Sequence, residues 1–135
     1  MQGLRDKITI YNKVKQIDSD IYYRTVLPTL CKHKTKVLRY PGQRGIDATN
    51  IQDIQLIVIP WVDSYNEPGD WIPGNGFTFQ IGDIILVGEH DFDITGVQPW
   101  REKDVLNKFA HCFSIRSIRD NTRDRHGKHW VVEGI

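Results

Sequence analysis

The sequence predicts an all-β fold, a small single-domain β-barrel or sandwich of about seven strands with long loops and one short helix. Apolar and polar residues alternate with a period of two in several short segments, as in strands with one buried face. Turn-forming residues separate these segments, and a single segment has a helical pattern. Because 135 residues is the length of one domain, we assign residues 1–135 to a single unit.

The segment that organises the predicted sheet spans residues 77–88. Phe77, Phe79 and Ile81 alternate with polar residues, which predicts a strand that buries these three side chains. Gly82 separates them from a second apolar run, and glycine suits a tight turn or a sharp bend. We therefore expect a central hairpin or bent strand pair here, with the other strands laid around it.

The other elements follow from the same patterns in chain order. Residues 99–109 are the helix candidate, because a proline suits the first turn of a helix and the apolar residues fall on one face. In the strand around Ile118, the alternation breaks in the way that a β-bulge would produce. The strands are expected at residues 8–14, 21–27, 30–38, 53–60, 91–95, 113–118 and 129–133.

A stretch of fourteen residues without periodicity, residues 63–76, is the longest predicted connection. Loops of this length in small domains are usually functional or disordered. Tyr65, Trp71 and Ile72 are its large apolar residues, and they can either pin the loop to the sheet or dock into a partner. Because large aromatic side chains dominate the energetics of interfaces, we treat these three as candidate interface residues.

Charge is segregated along the chain, although the net charge is only +1. Residues 1–44 carry a net charge of +7, residues 45–100 carry −9 with no lysine or arginine, and residues 101–135 carry +3. If these blocks become surface patches, the acidic side of one copy favours the basic side of the next. If strands from different blocks interleave, the charges mix on folding. The sequence leaves both outcomes open.

Two basic segments are candidates for contact with an anionic partner. Lys32, Lys34 and Lys36 alternate along one predicted strand, which is typical of an exposed edge protected against unwanted pairing and also fits contacts with phosphate groups. Arg123 and Arg125 belong to a polar hairpin before the last strand, which indicates either local ion pairs or a basic contact surface. A nucleic-acid-binding β-barrel module is therefore an alternative function.

The sequence offers little for catalysis or metal binding. In the acidic run 89–93, a strand would place His90 on the face opposite the carboxylates, so a solvated strand end is expected rather than a metal site. His111 and Cys112 are adjacent, and a strand would point them to opposite faces, which excludes a nucleophile pair. No phosphate-binding glycine loop, GxSxG or HExxH motif occurs. We therefore expect no enzyme activity, cofactor, metal or small-molecule substrate.

The sequence also predicts neither a membrane-spanning segment nor a signal peptide. The longest apolar runs are far too short to cross a bilayer, and the first residues lack the apolar core of a signal peptide. The two cysteines show no CxxC spacing, which favours two reduced and partly buried thiols. We therefore expect no membrane partner.

Several turn and strand motifs resemble those of a known family, and together they span most of the chain. They are Ile8–Asn12, Tyr22–Thr25, Gly82–Gly88, Asp91–Thr95, Ile118–Arg123 and His129–Gly134. In these motifs the sequence resembles a family of short phage and prophage virion proteins that are encoded in head–tail gene modules of Gram-positive hosts. Within this class it is most similar to the head-closure, or stopper, proteins of the head–tail connector.

The resemblance implies a non-enzymatic structural subunit of the virion that is assembled in the host cytoplasm. Head-closure proteins are small β-barrels that form a ring beneath the adaptor and retain packaged DNA, and their loops reach into the channel or contact the adaptor and the tail. The resemblance gives these roles to the 62–76 loop and secondarily to the 40–52 loop, which contains Arg44. The hairpin residues Arg123 and Arg125 are further candidate interface positions.

The partners implied by the resemblance are further copies in a homo-oligomeric ring, the adaptor or portal protein and the tail proteins. Contact with packaged DNA is compatible with the same role. Two alternatives in the same class are a tail-completion protein and a minor capsid or tail protein. The sequence gives neither the number of subunits in the ring nor the loop that faces the channel.

Overall fold

The computed structural model describes residues 4–18, 20–40, 50–123 and 127–134, without the side chains of residues 37–40 and 50–53. These residues form seven strands and one short helix. The elements are β1 (Ile8–Lys15), β2 (Asp20–Val26), β3 (Lys32–Tyr40), β4 (Asn50–Pro60), β5 (Ile84–Val87), α1 (Glu102–Lys108), β6 (Cys112–Asn121) and β7 (His129–Gly134). The strands build one sheet in the order β2-β1-β5-β6-β7-β4-β3.

Three hairpins, one inserted strand and the antiparallel pairing of β4 with β7 account for this order. The pairs β1–β2, β3–β4 and β6–β7 are antiparallel sequence neighbours, and β5 pairs with both β1 and β6. A shift of register between Ile115 and Ser117 marks a β-bulge in β6, where the strand bends. The first part of β6 pairs with β5 and the second part with β7. The bulge predicted for this strand is confirmed.

The curved sheet encloses an inner core on one of its faces. Alternate residues of five strands point into this core, together with two phenylalanines from the connection before β5. Full burial of such side chains stabilises a fold by about 1.5–3 kcal/mol each. These buried residues are Ile8, Ile10, Ile57, Ile59, Ile85, Phe113, Ile115, Trp130, Val132, Phe77 and Phe79.

A second, outer core lies on the opposite face of β1, β5 and β6. Tyr11, Ile84 and Cys112 occupy strand positions between the inner-core residues and are buried there. Helix α1 contributes Val105 to this cluster, and Phe92 packs against it from the connection after β5. This part of the sheet is therefore buried on both faces, which agrees with the uninterrupted apolar sequence of β5.

The sheet curls strongly but is not closed into a barrel. An isolated antiparallel bridge joins Asp6, just before β1, to Cys31, just before β3. The backbone NH of His33 also donates to the Asp6 carboxylate at 3.1 Å. The outermost strands β2 and β3 form no ladder with each other among the described residues. The predicted all-β fold of about seven strands with one short helix is confirmed.

The prediction of a hairpin or bent strand pair over residues 77–88 is wrong for its first strand. Phe77 and Phe79 are buried as expected, but Ile81 is 66% exposed and residues 77–80 are not part of a strand. The chain turns at Gly82, whose φ of +97° lies in the region that favours glycine. Ile81 lies inside this turn, because the Asp83 NH donates to the Gln80 carbonyl. Of the predicted pair of strands, only β5 is present.

Two further elements also differ from the prediction, a predicted strand and the start of the helix. Residues 91–95 are not a strand, because Phe92 and Ile94 pack into the outer core without pairing with a neighbouring strand. Helix α1 begins at Glu102 rather than near Pro99, and the carboxylate of Asp104 accepts a hydrogen bond from the Arg101 backbone NH at its start. In the part of the chain that the structure describes, no helix has the length and apolar character needed to cross a bilayer.

Candidate functional site

The longest connection without a helix joins β4 to β5 among the described elements, and it contains the loop that the sequence marks as functional. We call residues 62–76 the acidic loop, because Asp63, Glu67 and Asp70 are its only charged residues. All three are exposed, and none forms an ion pair with another described residue. The loop therefore presents three negative charges to solvent.

Backbone hydrogen bonds give the acidic loop a defined shape. The NH groups of Asp70 and Trp71 both donate to the carbonyl of Glu67 at 2.9 Å, which forms a tight turn. At the end of the loop, Gly76 has a φ of +71°, and a Cβ atom there would lie 2.4 Å from the Ser64 carbonyl oxygen. Only glycine fits this close approach between the two ends of the loop.

Tyr65 fixes the acidic loop to the inner core. Its ring lies 4.4 Å from that of Trp130, 5.3 Å from that of Phe79 and 5.8 Å from that of Phe77, between centroids. Aromatic pairs of this kind stabilise by about 0.5–1.5 kcal/mol beyond the burial of their area. Burial raises the pKa of the Tyr65 hydroxyl. Tyr65, a predicted interface residue, is thus half-buried, and its contacts position the loop.

Trp71 fixes the far end of the loop to β2, and Ile72 remains free of such contacts. The Trp71 ring meets the ring of Tyr23 edge to face at 6.0 Å, and its Nε1 donates to the Gly76 carbonyl at 3.3 Å. Ile72 is 65% exposed. Of the three predicted interface residues in the loop, Ile72 is therefore the most accessible to a partner.

A buried polar network holds the segment between the acidic loop and β5. The Asn12 side chain donates to the Thr78 carbonyl and to Oδ2 of Asp83, both at 2.7 Å. The backbone NH groups of Gln80 and Lys13 each donate to the Asp83 carboxylate at 2.9 Å. Burial raises the pKa of Asp83 to about 6, although these donors favour the charged form. The network ties the connection to β1 and leaves this carboxylate out of reach of solvent.

The predicted lysine strand and Arg119 of β6 lie on one face of the sheet. Lys32 pairs with Val58, Val58 with Val131, and Val131 with Arg119. Directly opposed residues on neighbouring strands point to the same side. Since Ile57 points into the inner core, the row that contains Val58 points outwards.

Two more lysines lie on this outward side, and one acidic residue accompanies them. Lys34 pairs with Leu56, which in turn pairs with Glu133. The Nζ atom of Lys36 lies 3.9 Å from the Glu133 carboxylate. The strand that carries the lysines is an edge of the sheet, as the sequence predicts. We call the following four residues the basic face: Lys32, Lys34, Lys36 and Arg119.

The remaining predicted interface residues are arginines, and one of the three can be placed. Arg123 is exposed in the turn that follows β6. Arg44 and Arg125 lie outside the described residues. At the other end of the same hairpin, Lys128 places its Nζ atom 5.6 Å from the centre of the Trp61 ring, which is partly exposed. Trp61 was not singled out from the sequence because it follows a proline and has no pattern around it.

The acidic run after β5 forms part of an open cleft, and two of its three carboxylates, those of Glu89 and Asp93, form ion pairs. Arg24 pairs with Asp93 at 3.2 Å and also donates to the Asp91 carbonyl. Glu89 lies 3.6 Å from Lys7. Among the described residues, no three His, Cys, Asp or Glu side chains are grouped so as to hold a metal ion. The cleft has a volume of about 490 Å³ and is lined by Arg24, Val26, Glu89, His90 and Asp91.

Both cysteines are free and buried. Desolvation raises the pKa of the Cys31 and Cys112 thiols to about 12, so both thiols are protonated near neutral pH. A nucleophilic cysteine reacts as the thiolate. His111 is exposed, and its ring lies against that of His33 at 4.9 Å between centroids. Neither cysteine has the environment of a nucleophile.

The fold and these surfaces define a class of protein: a small, open antiparallel β-sheet with an ordered acidic loop and a separate basic face. The family model described as "Family of unknown function (DUF6751)" matches residues 4–135. The chain therefore belongs to this family. Neither a curated protein nor a solved structure matches the chain.

Proposed function

We propose that this chain is a non-enzymatic structural subunit of a phage head–tail connector, a ring protein like the head-closure proteins that joins the portal or adaptor to the tail and retains packaged DNA. Its location would be the virion, assembled in the host cytoplasm. The sequence resemblance suggests this role. The main structural support for this role is the acidic loop, which is attached to the fold by its aromatic residues yet exposes charged and apolar side chains.

A preformed loop suits a subunit that must bind neighbours on several sides. Tyr65 and Trp71 hold the loop against the inner core and β2, so little conformational freedom is lost when a partner binds. Ile72, 65% exposed, supplies an apolar contact at its surface. The loop is placed to bind the adaptor, the tail or the next subunit, and its aromatic anchors also serve the fold.

The test starts from a phage whose genome encodes this chain. The gene is deleted from that phage, and the protein is supplied from a plasmid in the host. We expect the wild-type gene to restore infectious particles, and mass spectrometry to detect the chain in them. Ile72→Asp should give folded protein and heads without tails. Val97→Asp is the matched control, because Val97 is 69% exposed in a different connection and should restore tailed particles.

Two results would contradict the proposal: infectious particles from the phage that lacks the gene, or purified virions without the chain. Electron microscopy of the particles distinguishes the alternatives in the same class. A ring between portal and tail supports the head-closure role. Density at the top of the tail tube or on the capsid instead indicates a tail-completion protein or a minor capsid or tail protein.

A nucleic-acid-binding module is the second candidate, and the basic face favours it. Four cations lie on one side of the sheet, where they can contact phosphate groups. Such binding weakens steeply as salt is added, because counterions are released from the nucleic acid. The absence of a mobility shift with double-stranded DNA at low salt would eliminate this candidate.

A further inference from the structure

We propose that the basic face is the docking site for the acidic loop of a second copy of this chain, so that successive subunits associate head to tail. The inference rests on the proposed ring function and adds to it the two surfaces that meet. Both surfaces consist of described residues, the loop between β4 and β5 and the outward side of β3 and β6.

The two surfaces carry opposite charges that the fold leaves largely uncompensated. The three carboxylates of the acidic loop form no ion pair with a described residue. On the basic face, Lys36 lies 3.9 Å from Glu133. Lys32, Lys34 and Arg119 form no ion pair within the described ranges. Complementary potentials of this kind set the orientation and register of an interface.

Within one copy, the sheet separates the two surfaces. The acidic loop is attached through Tyr65 to Trp130, whose side chain belongs to the inner core. Lys32 and Arg119 lie in the cross-strand row that points to the other face. Because the loop and the basic face of one copy lie on opposite sides of its sheet, the loop binds the basic face of a neighbouring molecule.

Apolar side chains accompany the charges on both surfaces. In the outward row, Val58 and Val131 lie between Lys32 and Arg119, and with strands about 4.8 Å apart the row spans about 14 Å. In the acidic loop, Ile72 is 65% exposed beside the carboxylates. Val131 is only 8% exposed, so the partly exposed Val58 is the aliphatic side chain that this row offers to Ile72. A contact between two different patches can repeat from each copy to the next. If the rotation that relates neighbouring copies adds up to a full turn, the copies form a closed ring.

The chemistry of the basic face favours this occupant over nucleic acid. The centre of the face is aliphatic, whereas proteins that bind single strands stack bases on aromatic side chains. The Glu133 carboxylate lies among the lysines, where it repels phosphate groups. The same carboxylate repels the carboxylates of an acidic loop, so the aliphatic centre of the face is what distinguishes the two occupants.

The proposal is tested by charge reversal on each surface, followed by mixing. We expect the wild-type chain to self-associate in sedimentation or NMR titrations at up to about 1 mM, the range of weak contacts, and to dissociate as salt is added. Lys34→Glu with Arg119→Glu, or Glu67→Lys with Asp70→Lys, should abolish this self-association. An equimolar mixture of the two variants should associate again. The unchanged acidic loop of the first variant then meets the unchanged basic face of the second, and the basic loop of the second meets the acidic face of the first.

The matched control is Lys15→Glu with Lys103→Glu, which changes the net charge equally at exposed positions away from the basic face. This control should self-associate as the wild type does. The proposal is overturned by a wild-type chain that stays monomeric, by equal loss in the control, or by a mixture that fails to associate. It is also overturned if Lys34→Glu with Arg119→Glu loses binding to a double-stranded DNA probe but keeps self-association.

These results separate the inference from the proposed function. If the chain is found in virions but the mixed variants do not associate, the docking inference fails and the ring function stands on other contacts. If the mixed variants associate but virions lack the chain, the docking inference stands and the connector function fails.

Discussion

The two halves of the sheet differ in what covers their outward faces. In the covered half, β2, β1, β5 and the first part of β6, Tyr11, Ile84 and Cys112 are buried beneath α1 and the connection after β5, and Tyr22 packs against them. In the open half, β3, β4, β7 and the second part of β6, the corresponding positions hold cations beside aliphatic residues, of which Leu56 and Val131 are buried and Ile54 and Val58 are partly exposed. Both halves share the inner core. The covered half therefore serves stability, whereas the open half keeps a face available for binding.

The acidic loop belongs to neither half alone, since it contacts Trp130 in β7 and Tyr23 in β2. Its position over the inner core explains why it is ordered although it contains no strand. Loops that carry function are commonly held in this way by a rigid scaffold. The comparison of the two halves leads to four predictions.

The largest expected difference is between two isoleucines on outward faces. Ile84→Ala in the covered half removes a fully buried side chain and should lower the free energy of unfolding by about 3–4 kcal/mol. Ile54→Ala in the open half, where the residue is partly exposed, should cost about 1 kcal/mol. Urea denaturation of both variants measures the difference. Equal losses would mean that the open half is covered as well.

A second prediction concerns the pH dependence of stability. The pKa of Asp83 is about 6 in the folded chain, against 3.8 as its ordinary value. Between these values the folded state binds more protons, so this group makes the chain more stable as the pH falls from 7 to 4, by at most about 3 kcal/mol. Asp83→Asn should remove this contribution. Stability curves of the two proteins that run parallel from pH 7 to pH 4 would refute it.

The third prediction addresses the attachment of the acidic loop to β2. Trp71→Ala removes the edge-to-face contact with Tyr23 and should cost about 1 kcal/mol of local stability. Amide hydrogen exchange of Asn75 in the loop should become about fivefold faster, with no change at Ile85 in the covered half. Ile72→Ala is the control, and faster exchange in that variant would show that Ile72 also holds the loop.

The smallest expected effect concerns an ion pair at the edge of the covered half. Arg24 lies 3.2 Å from Asp93, whose side chain is 65% exposed. Because exposed ion pairs contribute little, Asp93→Asn should change the free energy of unfolding by less than about 0.5 kcal/mol. Thermal denaturation checks this, and a loss above about 1 kcal/mol would imply that the cleft residues act as a buried network.

Parts of the site were predictable because local chemistry determines them. Gly82 and the long run 63–76 marked a turn and a loop from composition alone, and both are found there. The role of Tyr65 was left open between anchor and interface, since only its contact with Trp130, from the far end of the chain, identifies the anchor. Ile81 was misassigned because alternation does not reveal whether a segment pairs with a neighbouring strand, and residues 77–80 are held by packing and by the Asp83 network instead.

By itself the sequence determined the all-β class, the bulge and the lysines of an edge strand, because these depend on residues that are neighbours along the chain. Only the tertiary structure decided that Lys32 and Arg119 share one outward row and that the acidic loop lies across the sheet from them. Strand register is set by burial of one face against residues far away in sequence, and no local pattern specifies those partners.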